Sequence, residues 1–231
     1  MLGAGRAPSR RLTVVFDPWV TAQFLSIVGE SFSGSEVLKG RSFLADRVGA
    51  SIAPPTVTLV DDPTDGRWPS ATPSDAEGLA TRRNVLIDAG VVSGFVHDGY
   101  SARALGARST GSAVRHGFKS TPGAGTQSIS LLAGDHDPAS ILAAVGDGIY
   151  ISDVQGLHSG VNPVSGDFST GIEGMVIRGG ELAEAVKEVT IASTLQRMMA
   201  DISMVGSDLT AMPLDATGVT LAIADVTLSG S

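Results

Sequence analysis

Four histidines, His97, His116, His136 and His158, carry most of the chemistry this chain could offer. A hydrolytic metal site needs at least two neutral imidazoles held together beside a carboxylate base, which a helix supplies when histidines recur one turn apart next to a Glu. Here the contexts are His-Asp-Gly, His-Gly-Phe, His-Asp-Pro and His-Ser-Gly, and no two lie within helical reach of each other. Hydrogen-bonded or surface roles are expected for all four, and a stand-alone hydrolase would require the fold to bring them together. Gly123-Ala124-Gly125 is followed by no Gly-Lys-Ser/Thr, so it reads as backbone turning rather than a phosphate cradle. The stretch around Gly111-Ser112 lacks the Gly-x-Ser-x-Gly of a nucleophile elbow. Arg108, Arg115, His116 and Lys119 form a basic cluster, read as solvated or interface surface.

Charge and composition narrow the partners. A net charge of −8 opposes binding to phosphate backbones, so no nucleic acid partner is expected. With no cysteine there is neither a disulfide framework nor a thiolate zinc site, which fits a reducing compartment, and the cytoplasm is the expected location. No run approaches the ~20 apolar residues that span a bilayer. Ser9-Arg10-Arg11 ahead of Leu12 superficially resembles an export signal, but Asp17-Pro18 cuts the apolar run short, and no membrane association is expected.

The elements that must position these residues read as follows. Residues 1–11 are expected to be a linker or flexible end, with one domain over 12–231. Leu12 to Phe16 reads as a buried strand, then Asp17-Pro18 as N-cap and first helical residue of a helix carrying Val20, Phe24, Ile27 and Val28. A weaker helix is expected from Ser35 to about Val48, interrupted at Gly40, and a strand over Thr56 to Val60. Asp61 to Gly78 is loop chemistry. Asn84 to Ile87 and Val91 to Val96 should form a hairpin turning at Asp88-Ala89-Gly90, with Gly90 at positive φ. Further expectations are a helical turn over Ser101 to Leu105, a strand over Ile129 to Leu132, a second Asp-Pro cap at Asp137-Pro138 and a strand at Ile149 to Ile151. A second hairpin should run from Gly174 around Gly179-Gly180. Ile191, Leu195, Met198 and Ile202 fit one helical face, and two alternating strands, Val219 to Ile223 and Val226 to Leu228, close the chain. The class is α+β, a largely antiparallel or mixed β-sheet with hairpins and a few packed helices.

A series of phrases points further. Val14-Val15-Phe16-Asp17-Pro18, Lys39-Gly40-Arg41-Ser42-Phe43-Leu44-Ala45-Asp46 and Thr58-Leu59-Val60-Asp61-Asp62-Pro63 come first, then Tyr100-Ser101-Ala102-Arg103 and Gly160-Val161-Asn162-Pro163-Val164-Ser165-Gly166-Asp167-Phe168-Ser169. In this order they resemble the carboxy-terminal domain of the TldD/PmbA family, from about Leu12 onward. The Gly160–Ser169 block and Thr190-Ile191-Ala192-Ser193-Thr194-Leu195 are more similar to the TldE (PmbA) branch. In that family TldD carries a His-Glu-x-x-x-His zinc motif and a cysteine ligand, whereas TldE lacks the motif and pairs with TldD. This chain has neither motif nor cysteine.

The resemblance implies a noncatalytic subunit with no metal or cofactor of its own, zinc being expected on a TldD-like partner. It also implies a protease assembly acting on unfolded or flexible peptides, with ribosomal peptide maturation as one family role. A homodimeric peptide-binding module, or a shortened paralogue without protease activity, is the alternative. The expected partner or substrate surface is Gly160, Asn162, Pro163, Gly166 and Asp167. There Asn162-Pro163 fixes a turn, the glycines permit close backbone approach, and Asp167 caps the turn or contacts the partner.

Overall fold

The structure is a computed structural model that describes residues 10–230; Met1 to Ser9 lie outside the described residues. In chain order the elements are β1 (Arg10–Phe16), α1 (Pro18–Glu30), α2 (Gly34–Leu38), β2 (Leu59–Asp61), β3 (Asn84–Asp88), β4 (Val91–Val92), α3 (Gly99–Ala104), β5 (Ala113–Val114), β6 (Gly123–Ala124) and β7 (Ile129–Leu131). There follow α4 (Pro138–Val145), β8 (Gly148–Gln155), α5 (Leu157–Gly160), β9 (Asp167–Arg178), β10 (Glu181–Thr194), α6 (Leu195–Ala200), β11 (Ile202–Val205) and β12 (Leu221–Gly230). The first strand takes in Arg10 and Arg11, two residues more than the sequence pattern marks.

The large sheet is mixed: β1 pairs in parallel with β8, and every other neighbour is antiparallel. Its pairings run round a closed circuit, β1-β8-β9-β10-β12 and back to β1, because β12 bonds β1 along its length and meets β11 and then β10 on its other side. Closure leaves few unpaired edges, the usual liability of a sheet. The smaller sheet, β4-β3-β2-β7, and the two-stranded ribbon β5-β6 lie in the chain between α2 and α4.

Helix α1 ties these layers together. Asp17 accepts the Trp19 amide at 2.8 Å and the Tyr150 hydroxyl at 2.7 Å, so one carboxylate caps the helix and fixes it to β8. Phe24 on its buried face packs edge-on against Phe16 of β1 and Phe168 of β9, at centroid distances of 5.9 and 6.4 Å. Leu59, Leu86, Ile129 and Leu131 of the smaller sheet join the same apolar cluster as Val14, Ile149, Ile191 and Leu228 of the larger one. The second Asp-Pro cap also forms, Asp137 accepting the Ser140 amide at 2.9 Å.

Both hairpin turns are two-residue turns with positive φ throughout: Ala89 and Gly90 at 45° and 81°, Gly179 and Gly180 at 57° and 85°. That geometry matches strand twist and favours glycine.

Elsewhere the structure corrects the sequence pattern. The expected helix from Ser35 to Val48 stops at Leu38, because Gly40 takes a left-handed φ of 67° and the Arg41 amide turns back to Glu36 O. The strand expected over Thr56 to Val60 is only Leu59–Asp61, and the one over Val91 to Val96 is only Val91–Val92. The helical face of Ile191, Leu195, Met198 and Ile202 is not one helix. Ile191 belongs to β10, Thr194 caps α6, and Ile202 begins β11; all four are buried, but in three different elements. Lastly, Val219 to Leu228 yields one strand, β12, not two, with Asp225 at φ 54° where the break was expected.

Candidate functional site

The outward face of α1 forms one wall of a groove. Gln23, Ser26, Ile27 and Glu30 follow i, i+3, i+4, i+7 spacing, so they share one face of the helix, opposite the buried Thr21, Leu25 and Val28. Leu157, Val161, Pro163 and Leu214 form the facing apolar wall, enclosing a cavity of about 500 Å³. Beyond Glu30 a second cavity of about 370 Å³ continues to Ser33, Glu36, Val114, His116 and Thr126. A third of about 460 Å³ reaches Thr72, Asp75, Arg115 and Gln127. Asp215 borders all three, which makes them one continuous surface.

Asp215 is held on both sides. Its carbonyl accepts the Ile129 amide at 2.7 Å, and its carboxylate accepts the Ser26 hydroxyl at 2.7 Å. Gly29 lets Thr126 come close: a Cβ there would stand 2.6 Å from Thr126 Oγ1. The ribbon β5-β6 is pinned to the start of α2 by Ser33 Oγ donating to Ala124 O at 2.7 Å and by Ser35 Oγ accepting the Ala124 amide at 3.1 Å.

The groove has an electrostatic gradient. Partial burial first, then Glu36 and Asp215, push the Glu30 carboxyl up in pKa, and His116 opposes them. Glu36 is held below its ordinary range chiefly by Arg41, which bonds it at 2.8 Å, and by Lys39. Glu30 has no ion-pair partner among the described residues. At the other end Gln23 Nε2 is buried without a hydrogen-bond partner. The groove therefore offers an apolar middle and a negative end.

The loop singled out from the sequence borders this groove through Val161 and Pro163. Asn162 organises it: its side-chain oxygen accepts the Val164 and Ser165 amides at 2.9 and 3.2 Å, and its own amide donates to Asp167 O at 2.9 Å. Asp167 accepts the Ser165 hydroxyl at 2.7 Å and is exposed. Gly166, at φ 83°, lies where a Cβ would overlap the Gln196 side chain, and a Cβ at Gly160 would stand 2.0 Å from Ser169 O. Turn chemistry thus explains each of these residues, and only Pro163 among the five lines the groove.

His97, His116 and His136 go separate ways, and the His158 side chain lies outside the described residues. His97 is buried against Gly34, where burial depresses its pKa, with Ser101 Oγ 3.5 Å from Nδ1. Ser101 donates instead to Asp98, and it is fully buried, so this Ser-His-Asp neighbourhood is not arranged for nucleophilic attack. His116 lines the groove and His136 is exposed. Among the described residues no three His, Asp or Glu side chains are placed to hold a metal ion, and the chain has no cysteine. Glu30 and Asp215 left no trace of this site in the sequence, since Asp215 meets α1 across 189 residues of chain.

The family model described as the PmbA/TldA metallopeptidase C-terminal domain matches residues 9–230. The chain belongs to the PmbA/TldD family. It is 33% identical to the metalloprotease PmbA of Escherichia coli O157:H7, over 82% of this chain and 39% of that protein. It is 30% identical to the metalloprotease PmbA homolog of Haemophilus influenzae, over 90% of this chain and 44% of that protein. The chain thus spans less than half the length of these PmbA relatives. The crystal structure of TldE from Thermococcus kodakarensis superposes with a TM-score of 0.92 at 29% identity, covering 99% of this chain and 52% of that one. The mixed-sheet fold is that of the PmbA/TldD carboxy-terminal domain. Among the described residues no helix is long and apolar enough to cross a membrane.

Proposed function

We propose that this chain acts as a noncatalytic, TldE-like subunit of a cytoplasmic zinc metalloprotease assembly, holding unfolded or flexible peptides while a TldD-like partner supplies the zinc and the active site. The observation that carries the reading is the groove along α1. An apolar wall beside two carboxylates suits it to gripping an extended segment, while the residues around it furnish neither an activated nucleophile nor a zinc donor set. Likeness to TldE and to proteins named metalloproteases supplies the reaction class. Residues Gly160, Asn162, Pro163, Gly166 and Asp167 then shape the rim, with Pro163 touching what the groove holds.

The test is cleavage of an unstructured peptide by the chain alone, by a TldD-like partner alone and by the two mixed, with a chelator control. Chelator-sensitive cleavage that rises sharply only in the mixture is the expected result. Cleavage by the chain alone would overturn the assignment.

A further inference from the structure

The loop that follows α2 and the helix α6 enclose a cavity of about 180 Å³ that shares no lining residue with the α1 groove. Its floor is the core itself: Leu44 and Met199 are buried there, and Phe43 and Ile52 pack against the same apolar cluster. The loop side is fixed. Ser42 Oγ donates to Ser31 O at 2.6 Å and accepts the Leu44 amide at 3.1 Å, the Arg47 amide donates to Leu44 O at 2.8 Å, and the Gly49 amide ties the loop to Val92 O at 2.8 Å. On the helix side, Gln196 donates from Nε2 to Ser165 O at 3.0 Å. A cavity whose walls are bonded in place is formed before anything enters it, which spares a ligand the cost of ordering it.

A single cation lines this apolar cavity. Arg47 is exposed and makes no ion pair or side-chain hydrogen bond among the described residues, whereas Lys39 and Arg41, just before it in the chain, are both engaged by Glu36. An idle guanidinium presents parallel N–H groups that match the two oxygens of a carboxylate. Ser51 Oγ also lines the cavity, and its one bond, to Ala53 O at 3.5 Å, is at the limit of hydrogen-bond length, which leaves the hydroxyl free to turn and donate. No Asp or Glu lines the cavity, although the chain carries a net charge of −8, so the local charge runs against that of the molecule. An apolar cavity of about 150 Å³ is enough to hold a benzene ring. The space therefore takes a compact ring or branched alkyl body and has no room for the backbone of a peptide segment.

We propose that this cavity binds a small monocarboxylic acid with an aromatic or branched aliphatic body, the body lying on Leu44 and Met199 and the carboxylate taking the Arg47 guanidinium and the Ser51 hydroxyl. A phosphate fits it poorly, because one guanidinium over an apolar floor leaves the remaining phosphate oxygens without donors. With so few atoms to bind, the dissociation constant should be on the order of 0.1–1 mM. The assignment is independent of the peptide-holding groove, and neither depends on the other.

Titration of the full chain with benzoate and with isovalerate, followed through the methionine methyl resonances, tests this. Both acids should shift the Met199 methyl signal, assigned with Met199→Leu, and saturate it. Benzamide, of the same shape without the charge, should bind about tenfold more weakly. Arg47→Gln should bring benzoate down to the level of benzamide, and because Arg47 is exposed and unbonded the fold does not depend on it. Ala200→Trp, at the exposed end of α6, should close the cavity to both acids. A Met199 signal that no acid moves would overturn the proposal. So would benzamide that binds as tightly as benzoate, or an Arg47→Gln chain that keeps the parent's affinity, since either leaves the carboxylate without a role. A peptide ending in leucine that displaces benzoate as effectively as isovalerate does would assign the cavity to peptide termini and overturn the small-acid reading.

Discussion

Two regions of this molecule are held together by different physics. In the closed sheet, strands of up to 14 residues exchange long ladders, and Phe16, Ile149, Ile151, Ile191, Ile223 and Leu228 are fully buried. Between α2 and β7 the strands shrink to two to five residues, and buried polar side chains take over the backbone groups that ladders leave unmet. Asp75 accepts the amides of Glu77, Leu79 and Ala113; Asp61 accepts those of Gln127 and Ser128; Asp98 caps α3. The first region draws its stability from apolar area, which tolerates small shifts. The second depends on single polar atoms whose loss leaves a buried group unsatisfied. Much of the groove is built on the second, which lets the chain shape a polar surface without opening the core.

The largest effect should come from the place where the layers of the first region meet. Phe24→Ala removes a ring packed between Phe16 and Phe168, and about 3–5 kcal/mol should be lost in urea unfolding. A loss well under 2 kcal/mol would mean that α1 is docked mainly by the Asp17 cap, and that the two regions differ less than their burial implies.

The sequence was legible where a signal is local and illegible where it is not. Asp17-Pro18 and Asp137-Pro138 announce helix starts, and Ala89-Gly90 and Gly179-Gly180 announce turns, because in each case adjacent residues carry the whole geometric requirement. The Ile191–Ile202 pattern misled because burial in a strand, a short helix and a second strand happened to recur at helical spacing. The groove was hidden for a third reason. Its apolar wall comes from Leu157, Val161 and Leu214, its carboxylates from Glu30 and Asp215, and no local pattern joins them. Turn chemistry drew attention to Asn162, Pro163 and Gly166 alike, and of these only Pro163, with its neighbour Val161, reaches the site.

The second region should betray itself in pH dependence, through two groups of opposite sign. Burial pushes the Asp61 carboxyl up to about 6, with Oδ2 left unpartnered. A carboxyl whose folded pKa exceeds its unfolded one holds its proton better in the fold, so stability falls as pH rises from about 4 to 6, by on the order of 3 kcal/mol at 1.36 kcal/mol per unit. His97 is pushed the other way: its neutral form is favoured in the fold, so its contribution is lost as pH falls below about 6.5. Urea midpoints across this range should show the Asp61 contribution as the difference between the parent and Asp61→Asn, whose profile lacks the loss between pH 4 and 6. Parallel profiles would mean that the Asp61 carboxyl has been reached by water.

Smaller effects separate architecture from contact in the rim loop. Asn162→Ala removes the acceptor of two amides that are exposed enough to find water, so a loss of about 1–2 kcal/mol is expected. Asp167→Ala removes only an exposed bond from Ser165 and should cost less than about 1 kcal/mol, seen as a lowered melting temperature. If Asp167 is purely a turn residue, affinity for a TldD-like partner is unchanged by its loss. Affinity that drops out of proportion to the change in melting temperature would make the exposed carboxylate a contact, and would move the working surface from the α1 groove out onto the rim.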